Sequence, residues 1–402
     1  MALLPVAEAM RRISDGAGPR DEETVPLAQA RGRVLSRPLH ARRTQPPFDA
    51  SAMDGYAVRA SDIARTPATL ALVGEAAAGR RYPGRVEPGE AVRIFTGAPV
   101  PDGADTIAIQ ENVRGLEDGR IEVAETAVAG KHIRRAGLDF GVGDELLAQG
   151  RVLDAAALSL AASGNHPAVP VYRRPLVAVL ATGDELVPPG TAPGPDQIVA
   201  SNTFGIVAIL QDAGAEVIDL GILPDDRAVI AGKIGEALGR GADLVVTVGG
   251  ASVGDHDLVN DALGDAGLSL DFWKIAMRPG KPLMFGRVGE TRCIGLPGNP
   301  VASLICSHVF VAPLVARLGG RTHEPLILQA RLAADIGAND QRQDYVRAGL
   351  RRDGETLLVT PFATQDSSML KFFVDADCLL IRAPHAPAAK AGDPCEILVI
   401  RR

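Results

Sequence analysis

The spacing of hydrophobic and polar residues changes several times along the chain, and each change predicts a different kind of structure. Near the start, "PVAEAMRRIS" has helical spacing, and "TVPLAQARGRVLS" predicts a second helix. From about residue 58 to residue 143, β-type runs such as "ATLALVG", "EAVRIFTG", "DTIAIQE" and "RIEVAE" alternate with Gly/Pro turns. Helical spacing returns in "RVLDAAALSLAASG", so we interpret the β-rich part as an insertion.

From about Arg174 onward, strand, loop and helix patterns alternate. The continuous apolar run in "LVAVLATGDEL" is typical of a strand covered on both faces. "SNTFGIVAILQDAG" follows as a helix, with Ser201 or Asn202 as its cap. Several such units predict an open parallel α/β sheet. After about Gly320, runs such as "LILQARLAA" and "DYVRAGLRR" predict a separate β domain.

A chain of 402 residues is too long for one ordinary core, so we expect a multidomain α/β protein. The predicted domains are a helical or linker domain (residues 1–45 and 144–173), an inserted β-rich domain (46–143), an open α/β sheet domain (174–320) and a C-terminal β domain (321–402).

Composition narrows the functional classes. The formal net charge is −7, and the chain has neither a long Lys/Arg run nor a basic stripe with interleaved aromatics, so we expect no nucleic acid partner. The four cysteines form no CxxC pair, which favours buried reduced thiols over a zinc or redox site. The N-terminus is too short and interrupted for a signal peptide, and no run of 18 apolar residues occurs. We expect a soluble cytoplasmic protein without a membrane partner.

Polar loops follow four predicted strands, where ligands bind in an open α/β sheet. These loops contain Thr182-Gly183-Asp184-Glu185, Pro224-Asp225-Asp226, "GGASVGDHD" at 249–257, and Leu296-Pro297-Gly298-Asn299-Pro300. Turn chemistry and helix capping explain any single loop equally well. Four polar loops in register favour a binding site.

The loop "GGASVGDHD" combines glycines with two aspartates. Glycines let backbone N–H groups approach an anion, and Ser252 can add a hydrogen bond. Mg²⁺ is bound by one or two carboxylates together with substrate phosphates. The predicted Mg²⁺ ligands, direct or through water, are Glu185, Asp225, Asp255 and Asp257, and the predicted cations for the anion are Lys274, Arg278 and Lys281. The loop matches neither a Walker A nor a Rossmann fingerprint, and we interpret His256 as a helix-start residue rather than a general base.

Several motifs together resemble the molybdopterin molybdenumtransferases, the family of bacterial MoeA and the C-terminal part of gephyrin. They are "PPFDASAMDGYAV", "IFTGAPVPDGADTIAIQE", "TGDEL", "SNTFGI", "GGASVGDHD", "MRPGKP" and "GLPGNPVAS", which occur in the family's order between about residues 42 and 303. The resemblance implies a molybdopterin-binding-like α/β sheet domain and a C-terminal domain resembling a β-barrel.

The resemblance also implies an activity. Members of this family insert molybdate into the dithiolene of adenylylated molybdopterin, with Mg²⁺-dependent release of AMP. They are homodimers whose sites are shared across subunits. The implied catalytic residues are Asp54, Thr96, Asp139, Glu185, Asp225 and Asp257, of which Asp54 and Thr96 would come from the opposite subunit. The metal ligands would be Glu185, Asp225 and Asp257.

The remaining implied site residues would bind the substrates. They are Thr182, Gly183, Gly249, Gly250, Ser252, Gly254, Asp255, Lys274, Arg278, Lys281, Pro297, Gly298, Asn299, Pro300 and Ser367. Ser368 is an alternative to Ser367 as the site serine of the C-terminal domain.

The chain departs from the family pattern at Ala251, where valine is frequent, and at Arg278, where lysine is frequent. Arginine keeps the charge but changes its reach and geometry. A fused adenylyltransferase domain is not in the sequence, so we expect a partner adenylyltransferase, and molybdoenzymes or their chaperones as acceptors. The alternatives are a molybdopterin adenylyltransferase, a non-catalytic scaffold, and a nucleotide-pyrophosphate hydrolase on the same α/β domain.

Overall fold

The computed structural model describes residues 3–249, 258–322 and 325–401. The chain divides into two compact units. The smaller unit contains Thr24–Arg31 and Arg37–Val169, and the larger contains the residues up to Glu23, Gly32–Ser36, and the residues from Pro170 onward. The four domain boundaries given above stay a prediction.

The smaller unit is built on a six-stranded sheet. Its strands, in spatial order, are Thr106–Ile109, Gly55–Val58, Glu90–Ile94, Ala68–Ala76, Arg120–Val123 and Val113–Gly115. Successive residues of a strand point to opposite faces, and accordingly Ala57 and Val58 belong to two different apolar cores. The four β-type runs of the sequence are therefore confirmed as strands.

Shorter elements complete the smaller unit. They are the strands Leu39–His40, Ala50–Ser51, Ile133–Arg134 and Glu145–Leu147, the 3-10 turns Leu27–Gln29, Ala60–Ile63 and Gln110–Asn112, and the helix Ala155–Ser163. The helix was predicted from its spacing, and the side chain of Asp154 caps it by accepting a hydrogen bond from the N–H of Ala157.

One of the two predicted N-terminal helices is confirmed, and the other is wrong. Val6–Ser14 is helical. The segment "TVPLAQARGRVLS" instead begins inside the strand Glu22–Pro26 and continues as a 3-10 turn. Thr24 and Val25 are β-branched and favour a strand, and Pro26 lacks the N–H that a helix interior needs. A further strand spans Ala168–Tyr172.

The larger unit contains an open six-stranded sheet. Its strands, in spatial order, are Glu216–Leu223, Leu176–Thr182, Leu244–Val248, Thr291–Leu296, Met284–Val288 and Ser269–Trp273. The first four are parallel to one another, as predicted, but Met284–Val288 pairs antiparallel with both of its neighbours, Thr291–Leu296 and Ser269–Trp273. A two-residue connection at Gly289 and Glu290 links neighbouring strands directly, and so short a link produces antiparallel pairing.

Helices cover both faces of this sheet. Val177 and Val179 share one core with the helices Val6–Ser14, Asn202–Asp212, Pro300–Cys306 and Ala312–Leu318. Ala178 and Leu180 share the other core with the helices Arg227–Gly239 and Leu258–Asp265. A short parallel pair, Leu186–Val187 and Ile198–Val199, follows the strand Leu176–Thr182 in the chain. The strand in "LVAVLATGDEL" is thus covered on both faces, as its apolar run predicts.

The continuous helical segment Pro300–Leu318 is long and apolar enough to cross a membrane by length and composition alone. It contains a π-helical turn at Ser307–Val311. However, 83% of its apolar window is buried inside the protein. Core helices of this kind meet the same length and composition test, so the segment is weak grounds for a membrane span.

The C-terminal region forms a closed five-stranded barrel. Its strands, in order around the barrel, are Gln343–Asp353, Thr356–Pro361, Ile327–Leu332, Pro394–Val399 and Cys378–Arg382, and the last pairs with the first. The short strand Met277–Arg278 joins Gln343–Asp353 from outside the ring, and a helix spans Leu370–Val374. The predicted barrel-like domain is confirmed.

Candidate functional site

The loops after the four parallel strands meet at one cleft of about 770 Å³ in the larger unit. Its lining includes ten predicted site positions: Thr182, Gly183, Glu185, Asp225, Gly249, Pro297, Gly298, Asn299, Pro300 and Ser368. Strands that run parallel in one sheet end at the same edge, which brings these loops together.

Two glycines allow the backbone of the cleft to pack closely. Gly249 has a φ of 90°, and a Cβ there would lie 2.7 Å from the carbonyl oxygen of Thr182. Gly183 has a φ of 148°, and its Cβ would lie 2.4 Å from Oε2 of Glu185. A side chain at either position would meet both steric overlap and an unfavourable backbone conformation. The glycines therefore set how closely the carboxylate of Glu185 and the strand ends approach each other.

Three acidic side chains act on one another at this cleft: Glu185 and Asp225, which line it, and Asp184, which bonds to Asp225. The N–H of Asp225 donates a 3.1 Å hydrogen bond to Oδ1 of Asp184. Although much of Asp225 is exposed, the packing around its carboxyl group raises its pKa, and the charges of Asp184 and Glu185 raise it further. A carboxylate that is disfavoured by neighbouring negative charge is stabilised when a cation arrives.

The acids fit a cation that needs few protein ligands. No group of three or more His, Cys, Asp or Glu side chains in the described ranges is arranged to hold a metal ion. Mg²⁺ usually takes one or two carboxylates and completes its coordination with water and phosphate oxygens. Glu185 and Asp225 can supply those two carboxylates. The third predicted ligand, Asp257, lies outside the described residues.

The turn at Pro297–Pro300 is fixed by side chains from two other segments. Nδ2 of Asn202 donates to the carbonyl oxygen of Gly298 at 2.7 Å. Nδ2 of Asn299 donates to Oγ of Ser367 at 3.0 Å, and the carbonyl oxygen of Ser367 accepts from the N–H of Val301. Ser367 therefore holds the turn, while Ser368 is the serine that lines the cleft.

Sequence reasoning assigned Asn202 only a capping role. Ser201 occupies the cap position without a side-chain cap bond, and Asn202 instead lines the cleft and reaches Gly298. Its presence in the motif "SNTFGI" was the available signal, because that motif directly follows a strand-end loop.

Arg347 is a second residue that sequence reasoning missed. Its side chain is 1% exposed and donates to the carbonyl oxygens of Asp366 and Met369, at 2.9 and 3.2 Å. Burial lowers the pKa of Arg347. This arginine fixes the segment that carries Ser367 and Ser368, so it supports the cleft from the barrel side. The signal was its position two residues after the buried Tyr345, on the same face of the strand.

The three predicted cations for the anion, Lys274, Arg278 and Lys281, lie in different environments. Lys274 is half-buried, and its backbone N–H bonds to Leu283; Lys281 is exposed and precedes Pro282, which lines the cleft. Arg278 instead forms ion pairs with Asp344 and with Asp340, and also bonds to Asn339 at 3.1 Å.

Arg278 therefore neutralises an acid of the barrel. The side chain of Asp344 is 9% exposed and its pKa is raised by burial, an effect that the bond to Arg278 opposes. The assignment of Arg278 to the substrate stays a prediction, and its present contacts give it a structural role as well.

Replacing Arg278 with Met is expected to destabilise the protein by about 1–3 kcal/mol near neutral pH, because Asp344 keeps a buried charge without its partner. The variant raises the pKa of Asp344 further above its unfolded value. A raised acid pKa makes stability fall as pH rises through that pKa. The deficit should therefore shrink as pH falls toward the ordinary aspartate value of about 4.

Urea unfolding of Arg278→Met at mildly acidic and neutral pH measures this deficit. The double variant Arg278→Met, Asp344→Asn removes both charges and should recover much of the lost stability. An equal deficit at both pH values, unchanged in the double variant, would assign the loss to packing of the arginine stem.

In the smaller unit, the structure brings Asp54 and Thr96 together. Oδ1 of Asp54 accepts hydrogen bonds from the backbone N–H and from Oγ1 of Thr96, both at 2.7 Å. These bonds are the largest causes of the lowered pKa of Asp54, and the charge of Arg93 lowers it further. Asp54 therefore carries a stable negative charge in a fixed orientation.

Asp139 lies on a different loop of the smaller unit. The backbone N–H groups of Gly137 and Asp139 donate to the carbonyl oxygens of Pro46 and Gln45, both at 3.0 Å. Asp139 is exposed, so its carboxylate is open to solvent beside this loop.

The remaining predicted residues belong to the loop that opens with Gly249. Gly250, Ser252, Gly254, Asp255 and Asp257 lie outside the described residues, as do Ala251 and His256. Their assignment to anion and metal binding stays a prediction.

Family models match most of the chain in three consecutive parts. Residues 4–164 match the MoeA N-terminal region (domain I and II), residues 178–317 match a probable molybdopterin binding domain, and residues 329–400 match the MoeA C-terminal region (domain IV).

Similar proteins span the same length. The chain is 36% identical over 385 residues to the molybdopterin molybdenumtransferase of Haemophilus influenzae, covering 94% of each chain. It is 38% identical over 388 residues to molybdopterin molybdenumtransferase 2 of Mycobacterium tuberculosis, covering 93% of this chain and 94% of the relative. It superposes on the crystal structure of the molybdopterin biosynthesis MoeA protein from Pyrococcus horikoshii with a TM-score of 0.85 and 28% identity over the full length of both. The chain therefore belongs to the molybdopterin molybdenumtransferase family.

Proposed function

We propose that the protein inserts molybdate into the dithiolene of adenylylated molybdopterin and releases AMP in an Mg²⁺-dependent reaction. The observation that carries this proposal is the coincidence of family and site. A chain that matches molybdopterin molybdenumtransferases over more than nine-tenths of its length also has a cleft of suitable size at the carboxyl ends of its parallel strands.

The cleft offers two kinds of partner for such a substrate. Close backbone approach at Gly183 and Gly249, together with the Pro297–Pro300 turn, suits phosphate groups. Glu185 and Asp225 suit a divalent cation. When bound there, Mg²⁺ would polarise phosphoryl oxygens and offset their charge. Glu185 and Asp225 would hold the cation, and Asn202 and Ser367 would keep the turn in place.

Molybdate is an anion and needs a cationic or hydrogen-bonding environment. Lys281 beside Pro282 is the exposed cation nearest in sequence to a residue of the cleft lining. Lys274 and Arg278 complete the proposed set, although Arg278 would have to exchange some of its acidic contacts. Holding molybdate and the dithiolene side by side supplies the proximity that ligand exchange requires.

We also propose a homodimer with sites shared across subunits, in which Asp54 and Thr96 face the cleft of the partner subunit and Asp139 is a further site acid. A cytoplasmic location, an adenylyltransferase that supplies the substrate, and acceptor molybdoenzymes or chaperones complete the proposal. The match argues against the adenylyltransferase, scaffold and hydrolase alternatives, since relatives named molybdopterin molybdenumtransferase match nearly the whole length of this chain.

The test is to incubate the purified protein with adenylylated molybdopterin, molybdate and Mg²⁺, and to measure AMP release and activation of an apo-molybdoenzyme. We expect AMP and active cofactor only when molybdate and Mg²⁺ are both present. AMP release without cofactor formation would support the hydrolase alternative. Tight substrate binding without either product would support a scaffold.

A further inference from the structure

Arg93 occupies a central position beside the Asp54–Thr96 pair. Its guanidinium carbon lies 4.9 Å from the ring centroid of Tyr56 and 5.1 Å from that of Phe95. Nη1 donates to the carbonyl oxygen of Gly55 at 3.2 Å, and Nη2 donates to Oε1 of Gln110 at 2.7 Å. The guanidinium is thus held by two rings and two hydrogen bonds.

These contacts join the ends of three adjacent strands. Gly55 begins one strand directly after Asp54, Phe95 follows a second strand directly before Thr96, and Gln110 follows the third. The N–H of Gln110 in turn donates to the carbonyl oxygen of Asp54 at 3.1 Å. Among these contacts, Gly55 and Phe95 are next to Asp54 and Thr96 in the chain, Gln110 is bonded to Asp54, and Tyr56 is two residues after Asp54.

The arrangement leaves one carboxylate oxygen of Asp54 for another partner. Both side-chain hydrogen bonds recorded for Asp54 within the described ranges use Oδ1. With Oδ1 fixed by Thr96, the direction of Oδ2 is fixed as well. Arg93 is also the cation whose charge acts on Asp54.

We propose that Arg93 is a positioning residue, which holds the Asp54–Thr96 pair in one geometry and so presents Oδ2 of Asp54 to the substrate. This inference rests on the proposed function, in which Asp54 takes part in the molybdate insertion site. Arg93 itself contacts neither substrate nor metal in this role; it acts through Asp54.

A double-mutant cycle tests the role in catalysis. Arg93→Met and Asp54→Asn are each expected to lower kcat/KM by about tenfold or more, and the double variant to be no worse than Asp54→Asn alone. Arg93→Lys should recover part of the activity, because it keeps the charge but not the planar fork. Losses that multiply in the double variant would overturn the proposal, because they would mean that Arg93 acts independently of Asp54.

A second readout does not depend on the reaction. In protein labelled with ¹⁵N-threonine, the Thr96 amide reports the protonation of Asp54, because its N–H donates to Oδ1. Arg93→Met should raise the midpoint of this titration and shift the amide resonance at neutral pH. The matched control is Arg114→Met, which removes an exposed arginine of the same sheet that pairs with Glu122.

The two readouts separate the outcomes. An unchanged Thr96 titration in folded Arg93→Met overturns the positioning role, whatever the activity. A titration that Arg93→Lys restores fully would assign the shift to charge alone and overturn the positioning role as well. A shift that Arg93→Lys does not restore keeps the geometric role of Arg93, and if the wild-type protein then shows no molybdate insertion, the proposed function is overturned instead. Folding of each variant is checked by circular dichroism at the assay temperature.

Discussion

Replacing Glu185 with Gln is expected to lower the rate of molybdate insertion on the order of 100-fold, since the change removes one of the two carboxylates that we propose hold Mg²⁺ on the substrate phosphates. Glu185 is exposed in the cleft, so the variant should fold normally. The measurement is kcat for AMP release as a function of Mg²⁺ concentration. A loss that high Mg²⁺ partly reverses would assign Glu185 to metal binding.

Gly183→Ala tests the same carboxylate without removing its charge. A Cβ at position 183 would lie 2.4 Å from Oε2 of Glu185, so the carboxylate has to move. We expect activity to fall in the same direction as in Glu185→Gln. The matched control for Glu185→Gln is Glu236→Gln. It removes an exposed carboxylate that pairs with Lys233 on a helix outside the cleft lining. Wild-type rates in Glu185→Gln would exclude Glu185 from the metal site.

Glu185→Gln should also change the titration of Asp225. The charge of Glu185 is one of the causes that raise the pKa of Asp225. In Glu185→Gln that cause is absent, so the pKa of Asp225 should fall toward its ordinary value. Asp225 is then ionised to a lower pH, and any acidic limb of the activity profile due to Asp225 should move to lower pH.

The α/β sheet and the place of the cleft could be predicted because each rests on local pattern. A continuous apolar run such as Leu176–Thr182 requires cover on both faces, and parallel strands align their carboxyl ends. The reversed strand Met284–Val288 was missed because the apolar pattern alone does not give strand direction. Its two-residue link to Thr291–Leu296 was the available signal.

Contacts between distant segments account for most of what the sequence did not reveal. The sequence predicts Arg278 as a cation for the bound anion, but not that Asp344, 66 residues later, lies beside it. Likewise, no local pattern shows that Arg347 binds the carbonyl oxygens around Ser367. Such pairings depend on how the barrel strand Gln343–Asp353 packs against the chain segments before it.

The Asp54–Thr96 pair shows a different limit. The two residues are 42 positions apart, and only the resemblance to a known family placed them in one site. The structure supplies the physical reason. Gly55 pairs with Ile94 on an antiparallel strand, so Asp54, which precedes Gly55, lies beside Phe95 and Thr96, which follow Ile94. Neither the spacing nor the composition of the motif reveals that register.

Gly55 in the motif "MDGYA" is the position in the smaller unit where a side chain is least tolerable. A Cβ on Gly55 would lie 2.1 Å from the carbonyl oxygen of Ala108 and 3.0 Å from the carbonyl carbon of that residue. Both are backbone atoms of the neighbouring strand Thr106–Ile109. They can move away only if the pairing of the two strands is broken or displaced.

Gly55→Ala is therefore expected to destabilise the smaller unit by about 3 kcal/mol or more, which places it among the severe single substitutions. Hydrogen exchange of peptides covering residues 54–58 and 106–110 measures the local effect, and urea unfolding followed by circular dichroism measures the total. The matched control is Gly115→Ala in the same sheet, where a Cβ would meet nothing within 4 Å and the cost should stay within about 0.5 kcal/mol. If Gly55→Ala is as stable as Gly115→Ala, the pairing of Gly55–Val58 with Thr106–Ile109 accommodates a methyl group and the expectation is wrong. We expect instead that Gly55→Ala loses stability together with the hydrogen bonds that Thr96 donates to Asp54.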